Sequence, residues 1–248
     1  DQSLVSFEGL GERLLDYGHG LSRQSAELGK GEVSWHHKYE KTRIYVDSAL
    51  SFIRRNQEKP FYVNLWPNDV HDPHKPMPGV AEKYKDVTDN PFQQKFLAVL
   101  EEMDEQIGRF MHGIEEMDLL EETIIIFTSD NGPTDWPWYY SNGYEPPGFT
   151  GKFYARKWSL YEGGIRMPFI VSWKGHTPEG ETDHTTVMAA MDLLPTICSM
   201  TNTPLPEDVQ HDGQDMSKAI MGKPMKRNEP VMWEYGSAPG GSLQPAKE

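Results

Sequence analysis

The sequence predicts an α/β sandwich, in which a large, mostly parallel sheet lies between layers of helices. Short apolar runs that are typical of strands alternate with stretches whose apolar residues recur every three or four positions, as they do in helices. The strand-like runs are almost continuously apolar, which is typical of strands covered on both faces. With 248 residues, 37% of them hydrophobic, the chain is long enough to bury a sizeable core.

Helical and strand-like patterns follow one another along the whole chain. The strongest pattern lies between Phe92 and Met117, where apolar residues at helical spacing predict a long amphipathic helix. The predicted order is helix 39–56, buried strand 59–67, loop 68–79, helix 92–117, buried strand 123–128, loop 130–160, buried strand 166–175, helix 187–200 and a last strand from about residue 227.

The charge of the chain limits its partners. A formal net charge of -14 disfavours a broad surface for nucleic acid or anionic membrane, because such surfaces need clustered lysine and arginine. It permits an anionic small substrate where a few cations are focused in one cleft. No apolar run approaches the length of a membrane span, no signal-peptide pattern is present, and the single cysteine allows no disulfide within the chain.

The strand predicted at 123–128 is followed at once by Asp130 and Asn131. In open α/β sheets, ligands bind beyond the carboxyl ends of the strands. Carboxylate and amide oxygens are hard donors that suit Ca²⁺ or Mg²⁺. The alternative is an Asx turn that caps the strand, with Gly132 and Pro133 completing it.

Two further stretches carry residues suited to an anionic substrate. The loop HDPHKP offers His71, His74 and Lys75 directly after a predicted strand, and a zinc site or a solvated loop are both compatible with it. Arg156 and Lys157 precede a Glu-Gly-Gly turn that enters the strand at 166–175. Surface charge beside a turn is the alternative for this pair.

Taken together, five stretches in this order resemble the sulfatases of the alkaline-phosphatase-like superfamily, over about residues 35–235. They are KPFYVNLWPNDVHDPHKP, EETIIIFTSDNGP, RKWSLYEGGIRMPFIVSWKG, MAAMDLLPTICSM and DGQDMSKAIMGK. The third is similar to the family's Lys-x4-Glu-Gly-Gly-x-Arg-x-Pro signature. The resemblance implies an alkaline-phosphatase-like fold, incomplete in this chain.

The resemblance also implies roles for single residues. Asp130 and Asn131 match two ligands of a divalent cation, usually Ca²⁺, with Mg²⁺ as the other choice. His71 matches a histidine that contacts the sulfate ester and assists proton transfer to the leaving oxygen, and Lys157 matches the sulfate-binding lysine.

Neighbouring residues receive supporting roles from the same resemblance. His74 and Arg156 are added as substrate-binding candidates. Residues 162–164 are expected to form a tight turn that Arg166 anchors.

The sequence also departs from the family pattern. It lacks the C/S-x-P-S/A-R motif in which formylglycine, the family's nucleophile, is made, and it lacks two further metal-binding acids at matching positions. We therefore expect a fragment: residues 1–222 as the C-terminal part of a catalytic domain, and residues 223–248 as the start of a truncated C-terminal subdomain. Alone, it should expose apolar surface, be poorly stable and be inactive.

The predicted function is hydrolysis of sulfate esters on a sulfated carbohydrate or other small molecule, in a secreted, periplasmic or lysosomal setting implied by the family. One alternative is a phosphodiesterase or phosphonate hydrolase of the same superfamily, and another is a non-catalytic module that binds glycans. The aromatic loop 135–149 suggests that Trp136, Trp138 and Tyr139 stack on a sugar ring; packing beneath the loop is the alternative.

Overall fold

The structure, a computed structural model, describes residues 36–234, which form two compact units. Within this range, the first unit comprises residues 36–117 and 138–147, and the second comprises 118–137 and 148–234. None of the helices between residues 36 and 234 is long and apolar enough to cross a membrane. The domain boundary predicted at residue 222 stays a prediction.

The first unit is built on two helices, α1 (Lys41–Asn56) and α2 (Pro91–Glu116), which confirm both predicted helices. A short 3₁₀ turn, Lys38–Glu40, leads into α1. The Asn90 side chain accepts hydrogen bonds from the Phe92 and Gln93 N–H groups (3.0 and 3.3 Å), and Pro91 occupies the first turn. This amide cap and proline fix where α2 begins, because they satisfy or remove N–H groups that have no partner within the helix.

The core of the first unit lies between these helices. The fully or almost fully buried apolar side chains are Val46, Ala49, Leu50 and Ile53 of α1 and Ala98, Val99, Met103 and Ile114 of α2. A Cβ atom at Gly113 of α2 would lie 2.6 Å from Leu50 Cδ2 of α1, so any larger residue there would displace the Leu50 side chain. Each fully buried Val, Leu or Ile contributes about 1.5–3 kcal/mol.

The prediction of a buried strand at residues 59–67 is wrong. The segment forms no hydrogen-bonded ladder with another described strand. Its alternate residues Phe61, Val63 and Leu65 are half-buried, whereas Tyr62 and Trp66 are 73% and 74% exposed. A strand requires a neighbouring chain for its backbone hydrogen bonds, and the described residues supply none here.

The second unit contains an antiparallel pair of strands, β1 (Ile125–Thr128) and β2 (Phe169–Ser172), with Thr128 opposite Phe169. The sequence predicts both strands correctly, but the prediction that they are buried is wrong, since Phe169 is 38% and Ile170 is 59% exposed. An apolar sequence indicates that both faces of a strand are suited to burial. Whether they are buried depends on the other elements that pack against those faces. The exposed apolar side chains confirm the expectation that this chain shows apolar surface.

Four short α-helices complete the α-helices between residues 36 and 234, namely α3 (Pro137–Ser141), α4 (Glu162–Ile165), α5 (Leu193–Met200) and α6 (Ser217–Ile220), and a 3₁₀ helix, Val80–Tyr84, precedes α2. The helix predicted at 187–200 is therefore too long, because a 3₁₀ turn, Ala190–Asp192, precedes α5. The last predicted strand is also wrong as far as it can be followed, since residues 227–234 form no strand. Its remainder lies outside the described residues.

Asp192 explains this late helix start. It is completely buried, and its carboxylate accepts hydrogen bonds from the N–H groups of Ala189 and Gln214, both at 2.8 Å. The same carboxylate forms an ion pair with Arg227, which is itself almost fully buried. A single carboxylate thus joins three segments of the second unit that are distant in sequence.

We predict that Asp192→Asn lowers the stability of the full-length protein by about 3–5 kcal/mol, because the change leaves the Arg227 guanidinium buried without a counter-charge. Thermal or urea unfolding would measure the loss. Asp212→Asn, at an exposed carboxylate in the neighbouring segment, is the matched control and should stay within about 0.5 kcal/mol. Equal stability of the two variants would contradict the importance of this ion pair.

Candidate functional site

The end of β1 lies against the segment that carries Arg156 and Lys157. Three hydrogen bonds join them: Gly132 N–H to the Gly164 carbonyl (2.9 Å), Lys157 N–H to the Pro133 carbonyl (2.9 Å) and Arg156 Nε–H to the Thr134 carbonyl (2.8 Å). The Thr128 hydroxyl also donates to the Pro168 carbonyl at 2.9 Å. The structure therefore brings the Asp130–Asn131 pair and the Arg156–Lys157 pair into one local cluster.

Glycines make this close approach possible. A Cβ atom at Gly132 would collide with the Gly163 carbonyl oxygen, and one at Gly163 would collide with that of Ala155. At Gly164 it would collide with the Ser159 carbonyl oxygen. Because the obstacles are backbone atoms, no side-chain rearrangement can relieve them. The turn predicted at 162–164 is formed as the single-turn helix α4, which depends on the absence of side chains at Gly163 and Gly164.

The Arg156–Lys157 pair is held in a strained stretch of backbone. Ala155 and Trp158, which flank the pair, have φ angles of 61° and 71°. Left-handed conformations of non-glycine residues cost about 1–3 kcal/mol each and persist only where the surrounding structure imposes them. The hydrogen bonds of Lys157 and Arg156 to the strand-end segment supply that restraint.

The Arg156 guanidinium binds backbone carbonyls of the second unit. It donates to Thr134 at 2.8 Å and to Gly148 at 3.1 Å, so it closes the base of the aromatic loop. Arg166 lies 2.6 Å from the Glu162 carboxylate and 4.6 Å from the centre of the Phe153 ring, an arrangement that anchors the turn. The substrate-binding role of Arg156 stays a prediction.

Asp130 and Asn131 offer oxygen donors at the strand end. Among residues 36–234, neither side chain has a hydrogen-bond or ion-pair partner, so the bond that defines an Asx turn is not formed there. Across the same range, no three His, Cys, Asp or Glu side chains cluster as a metal site. Because Ca²⁺ takes about six to eight oxygens, the pair fits as part of a ligand set and not as a whole one.

The first unit holds the turn that contains His71. The His71 Nδ1 atom lies 3.0 Å from the Asp72 carbonyl oxygen. A carbonyl only accepts, so this hydrogen bond places a proton on Nδ1, and Nε2 carries the lone pair of the neutral ring. Lys38 Nζ donates to the His71 carbonyl and, at 3.0 Å, to the Pro73 carbonyl.

His74 lies beneath this turn. Its ring is buried, with Nε2 at 3.1 Å from the Val70 carbonyl oxygen and Nδ1 at 3.6 Å from the Asp72 carboxylate. Burial lowers the pKa of His74, and the Asp72 carboxylate opposes this shift. These contacts support a role in shaping the turn, and the substrate-binding role of His74 stays a prediction.

A buried hydrogen bond joins the His71 turn to the aromatic loop. The Tyr139 hydroxyl donates to the Asp72 carboxylate, and both residues are buried. Burial and this hydrogen bond raise the pKa of Tyr139. Tyr139 therefore packs beneath the aromatic loop, which is the alternative to stacking on a sugar ring. Trp136 and Trp138 are 43% and 44% exposed, and their contact with sugar stays a prediction.

Sequence reasoning did not identify Lys38, Asp72 or Tyr139 as parts of this arrangement. A lysine directly before a helix is typical of a solvated surface, and Asp72 occurs between two better candidates, His71 and His74. No local pattern indicates that the Asp72 carboxylate faces inward. Only the packing of the loop against α1 and the aromatic loop decides this.

We predict that Gly163→Ala destabilises the cluster by about 1–3 kcal/mol, because the new methyl group displaces the Ala155 carbonyl and the Tyr154 carbonyl that accepts from the Gly163 N–H. Urea unfolding would measure the change. The control is Gly108→Ala in α2, where nothing lies within 4 Å of the added atom; it should be neutral or stabilising by up to about 1 kcal/mol. A Gly163→Ala protein as stable as the control would show that the turn is not tightly restrained.

The chain is similar to known sulfatases. The sulfatase family model matches residues 14–203. An N-acetylgalactosamine-6-O-sulfatase of Bacteroides thetaiotaomicron is 31% identical over 195 residues, which cover 76% of this chain and 36% of that protein. Human arylsulfatase A is 33% identical over 168 residues, covering 68% of this chain and 30% of that protein.

Solved structures agree with these relatives. A sulfatase from a glycosaminoglycan-metabolism locus of Bacteroides thetaiotaomicron superposes with a TM-score of 0.62 at 29% identity, covering 78% of this chain and 39% of that one. A sulfatase of Pseudoalteromonas sp. has a TM-score of 0.60 at 27% identity, covering 81% and 40%. The predicted fold class is thus confirmed, as a partial alkaline-phosphatase-like α/β fold.

The region matched by this chain is only a part of each relative. The chain spans about a third of the length of the curated relatives it matches. Most of its length nevertheless lies within the matched region, since residues 14–203 fit the family model. The chain belongs to the sulfatase family.

Proposed function

We propose that this chain is part of a sulfuric ester hydrolase that acts on a sulfated carbohydrate. The observation that carries the proposal is the local cluster in which the segment that follows Asp130–Asn131 and the segment of Arg156–Lys157 are joined by hydrogen bonds to backbone carbonyls. The segment that carries the proposed oxygen donors for a cation thus lies against the segment that carries the lysine proposed for the sulfate group. The named relatives are sulfatases, including one for N-acetylgalactosamine-6-O-sulfate.

Lys157 is proposed to bind the sulfate oxygens. A sulfate monoester is an anion, and negative charge grows on the bridging oxygen as its bond to sulfur breaks. A cation held by a restrained backbone stabilises that charge without reorganising, which is the most effective form of electrostatic catalysis. On a chain of net charge -14, such cations must be focused locally.

His71 is proposed to contact the ester and to move a proton. The contact between its Nδ1 atom and the Asp72 carbonyl fixes the ring orientation, and Nε2 is proposed as the nitrogen that exchanges protons with substrate. In the protonated form, this nitrogen donates to the leaving oxygen. His74 and Arg156 are proposed to contribute to substrate binding from the positions in which their contacts with the Val70 and Thr134 carbonyls hold them.

Asp130 and Asn131 are proposed to hold Ca²⁺, or Mg²⁺, together with ligands from elsewhere in the protein. A bound divalent cation would polarise the sulfate oxygens and offset their charge. The support is the hard-donor chemistry of the two side chains and their lack of partners among residues 36–234. The nucleophile is proposed to be a formylglycine, for which this sequence has no C/S-x-P-S/A-R motif.

The direct test is turnover by the full-length protein. We expect hydrolysis of 6-O-sulfated N-acetylgalactosamine or of a chromogenic aryl sulfate, and much slower hydrolysis of the matching phosphate ester. A preference for the phosphate ester would replace the proposal with a phosphoester hydrolase. Glycan binding without turnover would indicate a non-catalytic module.

We predict that Lys157→Ala and His71→Ala each lower kcat/KM by about a hundredfold or more, because each removes a group proposed to stabilise charge on the reacting ester. Steady-state kinetics on the sulfate ester would measure the loss. Lys152→Ala is the matched control, since this lysine is exposed on the same loop; its rate should stay within about twofold. Wild-type rates in both test variants would refute these assignments.

We also predict that Asp130→Ala abolishes the stabilisation of the protein by Ca²⁺, because one anionic ligand is lost. Ligand that binds only the folded state raises Tm, so a Ca²⁺ titration followed by thermal unfolding reports binding without any need for turnover. Glu122→Ala, at an exposed carboxylate before β1, should keep the full effect of Ca²⁺. An unchanged Ca²⁺ response in Asp130→Ala would exclude this residue as a ligand.

A further inference from the structure

We propose that Lys38 is a positioning residue for His71: its ammonium group holds the His71–Pro73 turn by two backbone carbonyls, and the turn loosens when that group loses its proton. The inference rests on the proposed function, in which His71 contacts the sulfate ester. Nothing in the sequence resemblance assigns a role to Lys38.

The geometry of the contact supports this role. Lys38 Nζ donates to the carbonyl oxygens of His71 and Pro73, the latter at 3.0 Å. The carbonyl between them, that of Asp72, lies 3.0 Å from His71 Nδ1. Three consecutive backbone carbonyls thus accept hydrogen bonds from one ammonium group and one imidazole. The orientation of the His71 ring therefore depends on the same peptide groups that Lys38 binds.

Lys38 extends from backbone that is connected to the packed helices of the first unit. Lys38 begins the 3₁₀ turn that leads into α1, and α1 contributes to the helix core of the first unit. One turn further along, the buried Thr42 hydroxyl donates to the Asp69 carboxylate of the same loop. The loop is therefore fixed to the start of α1 at two points, and Lys38 is the one that contacts the His71 peptides.

The charges around Lys38 make its protonation sensitive to pH. Burial lowers its pKa to about 8, with the Asp69 and Asp72 carboxylates raising it and the Lys41 and Lys75 ammonium groups lowering it further. Two imidazoles, those of His71 and His74, belong to the same loop. The buried Tyr139 hydroxyl reaches the Asp72 carboxylate from the aromatic loop. Lys38 thus titrates far closer to neutrality than an exposed lysine.

The direction of this shift has a consequence for stability. Because the pKa of Lys38 is lower in the folded state than its ordinary value of 10.5, the unfolded chain binds more protons between about pH 8 and 10.5. The contribution of this group to stability therefore rises with pH across that window. At neutral pH the buried charge of Lys38 therefore lowers the stability of the fold.

The test compares Lys38→Met, Lys38→Arg and the control Lys41→Met in the full-length protein. Lys41 is the matched control because it is a partly buried lysine that also faces Asp69. We expect Lys38→Met to lower kcat by at least about tenfold with a smaller change in KM, because a misoriented His71 impairs the chemical step more than binding. Lys41→Met should stay within about twofold of wild type.

The pH profile separates positioning from a purely structural role. The wild-type rate should fall on the alkaline side with an apparent pKa near 8. Lys38→Arg should move this fall to higher pH, because a guanidinium keeps its charge. The Tm of Lys38→Met should change by only a few degrees, since the relieved burial of charge offsets the lost hydrogen bonds.

A second readout does not depend on turnover. Hydrogen–deuterium exchange of a peptide covering residues 68–76 should be faster in Lys38→Met than in Lys41→Met, with exchange in α2 unchanged. Unchanged exchange in Lys38→Met, or an equal increase in both variants, would overturn the proposal about Lys38. Absence of sulfate ester turnover in the wild type would instead refute the proposed function, and the exchange result would still decide whether Lys38 holds the turn.

Discussion

The close approach of two backbone segments in the second unit is the constraint on which the candidate site depends. Residues 130–134 contact the 154–164 segment through hydrogen bonds of 2.8–2.9 Å. Peptide groups can come this near only where no Cβ atom intervenes, and Gly132, Gly163 and Gly164 meet that condition. The positions of Asp130 and Lys157 follow from this contact, because both residues lie on backbone that it fixes.

The His71 turn is restrained differently, by buried charge and hydrogen bonds instead of glycine contacts. Asp69, Asp72 and His74 are all buried, and each has a protein partner. Buried polar groups are costly unless they are satisfied, and a satisfied network specifies one arrangement much more strongly than apolar packing does. The loop that contains His71 thus acquires a defined shape without regular secondary structure.

Much of the candidate site could be predicted from sequence because its residues stand next to strong local signals. Asp130 and Asn131 directly follow an apolar run, and Lys157 precedes a glycine pair at a spacing shared with a known family. The contacts that hold these residues could not be predicted in this way. Whether the Tyr139 ring is buried or faces a sugar depends on the direction of a short helix, which no periodicity of the sequence encodes.

The sequence by itself determined the long helices, the two paired strands and the family, because each depends on local apolar spacing or on short motifs. The amphipathic pattern that ends at Met117 predicts α2 almost to the residue. Tertiary structure alone decided burial, strand pairing and the inward direction of Lys38 and Asp192. The physical reason is that these properties belong to contacts between segments distant in the chain, and residues 59–67, apolar yet unpaired, show that composition cannot supply a missing neighbour.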